Sequence, residues 1–485
     1  MAGHAAAATP STEQLQKEVE ELKAAVQLLR QELAASRPKP VVAGNPPLSA
    51  EHVTVAPQTP TPASTAPQGD YATKADIDGI RGDLENYKYE QTRNRETKTA
   101  LTTRGTTIGG TVAVRASYFN PATTGSSTPG AKARETSFDI ASAQLNLSGS
   151  LYRDYAEGRN LTYRLALAYA QNVNSGLTTT AQSSGSQLNL TDAYLDYSFF
   201  PTTTGLEEDR LTVRFGQQQI PFGLEAQTSE ELRPVINNAQ FVNALGVGTR
   251  QIGVVFRGDF DSYVDYGFNY RAPLIEYAFG VFNGNGPNKA DDNSAKDFIG
   301  RLAFTLPVDY NSVFRELKLG VSYLKGTGNL TRTVGTTTTT VASNNFTRRG
   351  FDLYYNHNPY GITYEYADGE TDTLAGATGS GKTTIKSRGQ YVTLYYQWGE
   401  QFLRSYRGQA KYDDWWPKTY QAFLRYDLFD PNTAVGNDQV KVATLGLNVF
   451  FAETTKLQLN LLRTFYQDPS MKNSTAVLAQ FQYGF

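Results

Sequence analysis

The chain has 485 residues, of which 39% are hydrophobic, 12% aromatic and 19% charged, and its formal net charge is −2. It has no run of about 20 apolar residues, which excludes a helical membrane protein, and its lack of cysteine excludes disulfides, thiolate metal sites and cysteine nucleophiles. The near-neutral charge gives no indication of nucleic acid as a partner, and residues 1–10 contain no apolar segment typical of a signal peptide.

The N-terminal third predicts helix and linker rather than a packed domain. After a flexible start at 1–10, residues 11–36 predict a coiled-coil helix, because Ser11 and Gln14 fit a capping box and apolar residues then recur at spacings of four and three. A single amphipathic helix lying on the following domain or on a membrane is the alternative. The Pro-, Ala- and Thr-rich residues 37–70 predict an extended linker, and residues 71–104 a short helical segment.

From Thr107 onward the apolar spacing changes to two, which predicts strands with one apolar and one polar face. In the clearest example, Leu161, Tyr163 and Leu165 share a face opposite Thr162 and Arg164. The last segment, STAVLAQFQYGF, alternates in the same way and is aromatic at its end. This pattern suits a transmembrane barrel wall, although the last segment alone also suits an edge strand of a soluble sandwich.

Sixteen alternating segments can be counted, and together they predict a barrel over residues 105–485. They lie at 106–120, 134–152, 160–172, 186–200, 209–219, 249–258, 274–284, 297–307, 314–326, 347–357, 360–369, 385–399, 417–428, 437–451, 454–467 and 474–485. An even number of strands is typical of bacterial outer-membrane barrels, and sixteen strands enclose a water-filled channel. The fold class is therefore predicted as all-β, a 16-stranded antiparallel transmembrane β-barrel with an N-terminal α-helical coiled coil.

The connections alternate in length as such a barrel requires. The predicted long loops follow the odd-numbered strands, at 121–133, 173–185, 220–248, 285–296, 327–346, 370–384, 429–436 and 468–473, whereas most connections after even-numbered strands are short, 259–273 and 400–416 being exceptions. This arrangement predicts a protein of the bacterial outer membrane, in contact with its lipid, whose N-terminal region is periplasmic.

The longest connection, residues 220–248, is predicted to fold into the lumen as a constriction loop. It carries Glu225, Glu230, Glu231 and Arg233. The alternative is a loop that packs across a subunit contact.

Alternation also predicts which charged side chains line the pore. The inward basic residues are Arg115, Arg164, Arg214, Arg257, Arg301, Lys318, Arg425 and Lys456, and the inward acidic residues are Asp192, Asp196, Glu276, Asp352, Glu365 and Asp427. Arg115, Arg164 and Arg214 are expected to line one arc of wall that faces the constriction loop, where guanidinium groups suit phosphate and carboxylate. In the alternative interpretation, wall arginines and loop glutamates pair with each other and only stiffen the constriction.

Four segments resemble the signature of the phosphate-selective porin O and P family: VRFGQQQIPFGLE (213–225), YAFGVFNGNG (277–286), FIGRLAFTLP (298–307) and FLRYDLFDPN (423–432). The resemblance covers about residues 105–485. It implies a trimeric outer-membrane channel, in some members with a periplasmic coiled coil, for passive diffusion of small polar solutes, with anion preference for phosphate or small carboxylates. His4, His52 and His357 lie far apart in the sequence and form no metal-binding or catalytic motif, so we expect no cofactor, no metal site and no enzymatic reaction.

Two other functional hypotheses remain at this stage. In the first, the coiled coil and linker tether the outer membrane to the cell wall. In the second, the protein is an outer-membrane enzyme, but His357 is the only histidine in the barrel segment. The segment GATGSGKT at 376–383 fits a phosphate-binding loop by pattern alone, because it lies between two predicted strands rather than before a helix. Trp415 and Trp416 fit an interfacial aromatic girdle, or alternatively a packed turn.

Overall fold

The computed structural model of the chain describes Leu84 and residues 106–123, 134–154, 158–170, 187–200, 210–265, 267–268, 270–334, 337–375, 381–399, 417, 419–452 and 454–485. The predicted segments 1–10, 11–36, 37–70 and, apart from Leu84, 71–104 lie outside the described residues, as do Trp415, Trp416 and most of segment 376–383. Within the described residues, no helix combines the length and the apolar character needed to cross a membrane.

In this part of the chain, sixteen antiparallel strands form one closed barrel in which each strand pairs with its sequence neighbours and β1 pairs with β16. The strands are β1 (Thr106–Thr123), β2 (Arg134–Asp154), β3 (Gly158–Ala170), β4 (Gln187–Ser198), β5 (Thr212–Gln219), β6 (Arg250–Asp265), β7 (Tyr270–Phe282), β8 (Asp297–Thr305), β9 (Lys318–Val334), β10 (Thr337–His357), β11 (Tyr360–Leu374), β12 (Lys382–Gly399), β13 (Thr419–Asp430), β14 (Val440–Phe450), β15 (Lys456–Tyr466) and β16 (Ser474–Gly484). The predicted fold class is confirmed for the barrel.

The two faces of the wall follow the predicted alternation. On β15, Leu459 and Leu461 face outward and are exposed, whereas Gln458 and Asn460 face inward and are buried. Apolar side chains on the outside and polar ones on the inside suit a wall between lipid and water, and closure leaves no unpaired strand edge in the lipid.

Two predicted loops are strand in the structure. The predicted loop 327–346 was wrong, because β9 runs to Val334 and β10 begins at Thr337. The predicted gap 259–273 was also wrong, because β6 continues to Asp265 and β7 begins at Tyr270. Neither segment has an apolar face along its whole length, so the period-two signal is lost there although the strand continues.

The connection between β5 and β6, residues 220–249, is called the third loop here. It contains one short helix, α1 (Gln240–Ala244), and its apolar side chains Phe222 and Phe241 are fully buried. They join a cluster with inward residues of the wall: Val255, Phe282, Ile299, Leu324, Ala367 and Tyr391. The third loop therefore lies inside the barrel and packs on its inner wall. The barrel end that carries it is called the loop end.

Candidate functional site

The third loop is fastened to the wall by a buried ion pair. Arg425 on β13 donates from Nη1 to Glu225 Oε1 at 2.9 Å and from Nη2 to Glu225 Oε2 at 2.8 Å. Both side chains are about 95% buried or more, and the Arg425 guanidinium also lies over the Tyr391 ring at 4.0 Å. A bidentate pair of this kind fixes both position and orientation, so Glu225 is an anchor of the loop.

A second carboxylate receives the backbone of the same segment. The amides of Leu224 and Glu225 donate to Glu365 Oε1 and Oε2 at 3.1 and 3.0 Å, and the Tyr391 hydroxyl donates to Oε2 at 3.2 Å. The preceding residue, Gly223, has φ +64° and a backbone that lies directly against this carboxylate. Since a side chain at that position would occupy the space of Glu365, the close approach requires glycine.

The start of α1 is capped by carboxylates rather than by its own side chains. The Ala239 amide donates to Glu225 Oε1 at 3.2 Å, and the Gln240 amide donates to Asp427 Oδ2 at 3.0 Å. The first amides of a helix have no partner within the helix and carry partial positive charge. Glu225 therefore joins the beginning of the loop to its helix, and Asp427 joins the helix to the wall.

Side chains of β14 and β15 hold the middle of the loop. Lys456 donates to the Arg233 carbonyl at 2.6 Å, Asn448 donates to the Pro234 carbonyl at 2.8 Å, and Gln458 donates to both carbonyls at 3.3 and 3.1 Å. Asn460 Oδ1 accepts from the Ile236 amide at 3.1 Å. The backbone of the loop thus has direct partners on the wall along much of its length.

The remaining predicted loop residues lie in two places. Glu230 Oε2 accepts from the Ser142 hydroxyl of β2 at 3.2 Å, whereas Glu231 and Arg233 line the wider recess of about 780 Å³ described below. Arg115, which was predicted to line the pore, is mostly buried and donates to Gln480 Oε1 at 2.9 and 2.7 Å.

Four of the predicted pore-lining cations come together in one recess of about 280 Å³ between the third loop and strands β5 to β9. They are Arg214, Arg257, Arg301 and Lys318, and the acidic groups beside them are Asp259 and Glu276. Several of these cations have carboxylate partners: Arg214 donates to both oxygens of Asp196 at 2.7 and 2.8 Å, and Arg301 donates to both oxygens of Asp352 at 2.5 and 2.9 Å.

The charges of this recess nearly balance. Lys318 pairs with Glu276 and Arg271 with Asp259. The basic groups of the lining and its ion pairs are Arg214, Arg257, Arg271, Arg301 and Lys318, and the acidic groups are Asp196, Asp259, Glu276 and Asp352. The Glu365 carboxylate lies directly against the lining residue Gly223. Acidic groups therefore offset most of the positive charge of the recess.

Arg164 lies in a second recess of the wall. It pairs with Asp192 at 3.4 Å and lines this recess of about 520 Å³ with Tyr194 and Asp196. The strand register places it opposite Ser148 and hence level with Thr107, well away from Arg115 along β1. Arg214 donates to the same Asp196 and lies over the same Tyr194. Arg164 and Arg214 are therefore neighbours on the wall, whereas Arg115 lies apart from the expected arc.

A wider recess of about 780 Å³ adjoins the first, because Leu224, Thr228 and Lys318 line both. It is lined by tyrosines of β7, β10 and β12 and by Glu316 in the turn between β8 and β9. Burial raises the pKa of the Glu316 carboxyl, whereas the nearby Arg315 and Lys318 act in the opposite direction. No cluster of His, Cys or acidic residues that could hold a metal ion exists among the described residues.

Sequence reasoning found the charged residues of the wall but missed the amide and hydroxyl groups that hold the loop, such as Ser322, Asn448 and Asn460. The sequence nevertheless contained a pattern that indicates a covering segment. Inward positions on β6 to β9 carry Val255, Phe282, Ile299 and Leu324. Apolar residues on a face that should contact water indicate that something covers them.

A family profile described as "Phosphate-selective porin O and P" matches residues 126–485. Among solved structures, the outer membrane channel DcaP of Acinetobacter baumannii is 11% identical, with 79% of this chain and 99% of that chain covered and a TM-score of 0.46. The high-pH structure of Pseudomonas putida OprB is 11% identical, with 82% and 97% covered and a TM-score of 0.49. Salmonella typhi OmpF in complex with daunomycin is 12% identical, with 78% and 97% covered and a TM-score of 0.44. No curated protein matches the chain significantly.

Proposed function

The chain belongs to the family of phosphate-selective porins O and P and is therefore an outer-membrane porin, and we propose that its channel carries small polar solutes passively with a mild preference for anions such as phosphate or small carboxylates. Family membership points to transport rather than to catalysis. The preference is the part of the proposal that depends on the residues of this chain.

The observation that carries the preference is the recess beside the third loop. Arg214, Arg257, Arg301 and Lys318 converge there on one stretch of inner wall. Guanidinium groups donate paired hydrogen bonds that match phosphate and carboxylate. Because carboxylates neutralise most of this charge, the expected preference is mild rather than strict.

The fixed third loop supports passive diffusion through a passage of constant shape. Its partners on β10 to β15 include the ion pair with Arg425, the bonds to Glu365 and the bond to Asp427. We further propose a homotrimer, as the family resemblance implies. We also propose that the N-terminal region is periplasmic, since an even strand number brings both ends of the barrel segment to the same side of the membrane.

Single-channel recording in a planar bilayer tests the proposal. Under a KCl gradient, the reversal potential of the full chain should indicate anion preference, and phosphate or a small dicarboxylate should block the current. Arg257→Gln removes one basic group of the recess and should shift the reversal potential toward cation preference. Lys289→Gln, an exposed residue of the loop between β7 and β8, is the matched control and should leave it unchanged.

A cation-preferring or unselective channel that Arg257→Gln does not alter would refute the anion preference while leaving the porin assignment intact. Equal shifts in Arg257→Gln and Lys289→Gln would mean that general surface charge, rather than this recess, sets the selectivity.

A further inference from the structure

The outward face of the wall changes character toward the loop end on strands β9 to β12. On β10 the outward Arg349 lies nearer the loop end than the outward Phe351. On β12 the outward Arg388 and Lys386 likewise lie nearer the loop end than the outward Leu394. At the same end of β1 to β8, the outward residues that the structure describes are uncharged, as Phe138 and Leu188 exemplify. The basic outward residues that the structure describes at this end therefore lie on β9 to β15, where Lys441 and Arg463 are further examples, and they are densest on β9 to β12, directly above the apolar band.

The groups in this sector form a connected network. Arg349 Nε donates to Asp368 Oδ1 at 2.8 Å, and its Nη2 lies 3.7 Å from Glu370 Oε1. Lys386 Nζ lies 3.3 Å from the same Glu370 oxygen. The strand pairing places these residues side by side, since Arg349 lies opposite Asp368 and Glu370 lies opposite Lys386.

The basic groups are outermost in this network. The side chains of Arg349, Lys386 and Arg388 are 59%, 63% and 50% exposed, whereas their partners Asp368, Glu370 and Asp430 are 26%, 38% and 4% exposed. The carboxylates are thus less exposed than the cations, whose side chains are at least half exposed. Lys325 on β9 is also exposed and makes no ion pair among the described residues.

The spacing of these cations sets the size of a matching ligand. Neighbouring strands lie about 4.8 Å apart, so Arg349 on β10 and Arg388 on β12, which are level in the register, are separated by about 10 Å, and Lys325 on β9 and Lys386 on β12, also level, by about 14 Å. One phosphate group cannot contact all of them. Two phosphate groups on one headgroup can.

We propose that this sector, formed by Lys325, Arg349, Lys386 and Arg388, is a binding site for a membrane lipid whose headgroup carries two phosphate groups. The site lies where the apolar band ends, which is the depth of the headgroups for a barrel in a membrane. Outward neighbours such as Tyr323 and Phe351 contact the acyl chains, while the guanidinium and ammonium groups contact the phosphates. The proposal rests on the placement of the barrel in the membrane and not on the selectivity of the channel.

Native mass spectrometry of the full chain in detergent micelles tests the site, with diphosphoryl lipid A as the probe and monophosphoryl lipid A and phosphatidylcholine for comparison. The wild-type chain should bind the diphosphoryl lipid most tightly. Arg349→Gln combined with Arg388→Gln should weaken that binding about tenfold or more, and Lys325→Gln about fivefold. Lys472→Gln, an exposed residue of the loop between β15 and β16, is the matched control and should bind as wild type does.

Lys325→Gln keeps the test valid if the double variant does not fold, because Lys325 has no carboxylate partner in the described part of the chain that its loss would leave unpaired. Equal affinity for the three lipids, or no loss in Lys325→Gln, would overturn the proposal. Displacement of the lipid by inorganic phosphate at equal concentration would also overturn it, since the site would then recognise a free anion. Channel conductance serves as a separate readout, and we expect it to be unchanged in every folded variant.

Discussion

The ion pair between Glu225 and Arg425 joins two residues 200 positions apart and removes both charges from water. Breaking a buried pair by neutralising one partner leaves the other charge uncompensated, which costs about 3–5 kcal/mol. We therefore expect Glu225→Gln to lower the free energy of unfolding by roughly that amount. Urea unfolding of the barrel in lipid vesicles measures the change.

The double variant Glu225→Gln, Arg425→Gln should recover part of this loss, because no isolated charge remains. Arg349→Gln, which breaks the exposed pair with Asp368, is the comparison and should cost about 1 kcal/mol or less. If Glu225→Gln is no more destabilising than Arg349→Gln, the buried pair does not anchor the loop.

Gly223 and Gly246 provide a second test at the scale of single residues. Both have positive φ, at +64° and +69°, so alanine strains the backbone similarly at either position. A Cβ at Gly223 would collide with the Glu365 carboxylate, whereas a Cβ at Gly246 would meet no atom within 4 Å. We expect Gly223→Ala to release the start of the third loop and make single-channel current noisier, and Gly246→Ala to have little effect. Equal noise in both variants would contradict the role assigned to the Glu365 contact.

Residue roles were only partly predictable from the sequence. Alternation gives the face on which Arg425 and Lys318 lie, because the side-chain period of a strand is two. It does not give their partners, since Glu225 reaches Arg425 only through the path of the third loop inside the barrel. The interpretation that wall arginines and loop glutamates pair with each other describes Arg425, whereas Arg214 and Arg301 have wall carboxylates as partners.

At the scale of the element, the third loop resembles a strand in that many of its backbone amides are hydrogen-bonded, although it contains little regular secondary structure. Its amides at Gly223, Leu224, Glu225, Ile236, Ala239 and Gln240 donate to side chains of the wall or of the loop itself. Amides with buried partners exchange slowly with solvent. We therefore expect hydrogen exchange in residues 220–245 to be as slow as in β14 and β15.

The loop between β7 and β8 is the internal comparison. Its amides at Asn293 and Ala295 donate to Asp291 and Asn293 in exposed local turns, and they should exchange much faster. Exchange of residues 220–245 at the rate of this loop would show that the third loop leaves the wall frequently, and the passage would then not have a constant shape.

Strands were predictable from the sequence where one face of the strand contacts lipid and the other contacts water. The strand pattern of β13 to β16 was therefore visible to within a few residues. The pattern failed at the ends of β9 and β10 nearest their connection, where Thr333 pairs with Thr338 although neither face is apolar along its length. The sequence of this hairpin is mostly polar and its few apolar residues do not alternate regularly, so pairing continues without the signal by which strands are recognised.

At the scale of the whole molecule, the barrel depends on the seam where β1 meets β16. The amide of Gly110 donates to the Phe485 carbonyl, and the amide of Phe485 donates to the Gly110 carbonyl, both at 3.0 Å. A Cβ at Gly110 would lie 2.4 Å from the Gln144 carbonyl of β2 and 2.7 Å from the Phe485 ring. Since β1 is bonded on both sides, it cannot move away from one neighbour without losing the other, and lipid supplies no replacement partner for a broken bond.

Gly110→Val should therefore destabilise the closed barrel by about 1–3 kcal/mol, the usual cost of overpacking, and lower the temperature at which it unfolds in detergent. Gly328→Val is the matched control, because Gly328 pairs with Asn344 in the β9–β10 hairpin and a Cβ there meets no atom within 4 Å. For both variants, the unfolding temperature is read from the gel mobility, which differs between folded and heat-unfolded protein. If both unfold at the wild-type temperature, the β1–β16 seam tolerates displacement and closure does not depend on close packing at Gly110. A loss confined to Gly110→Val means that close packing at this seam contributes to the stability of the closed barrel.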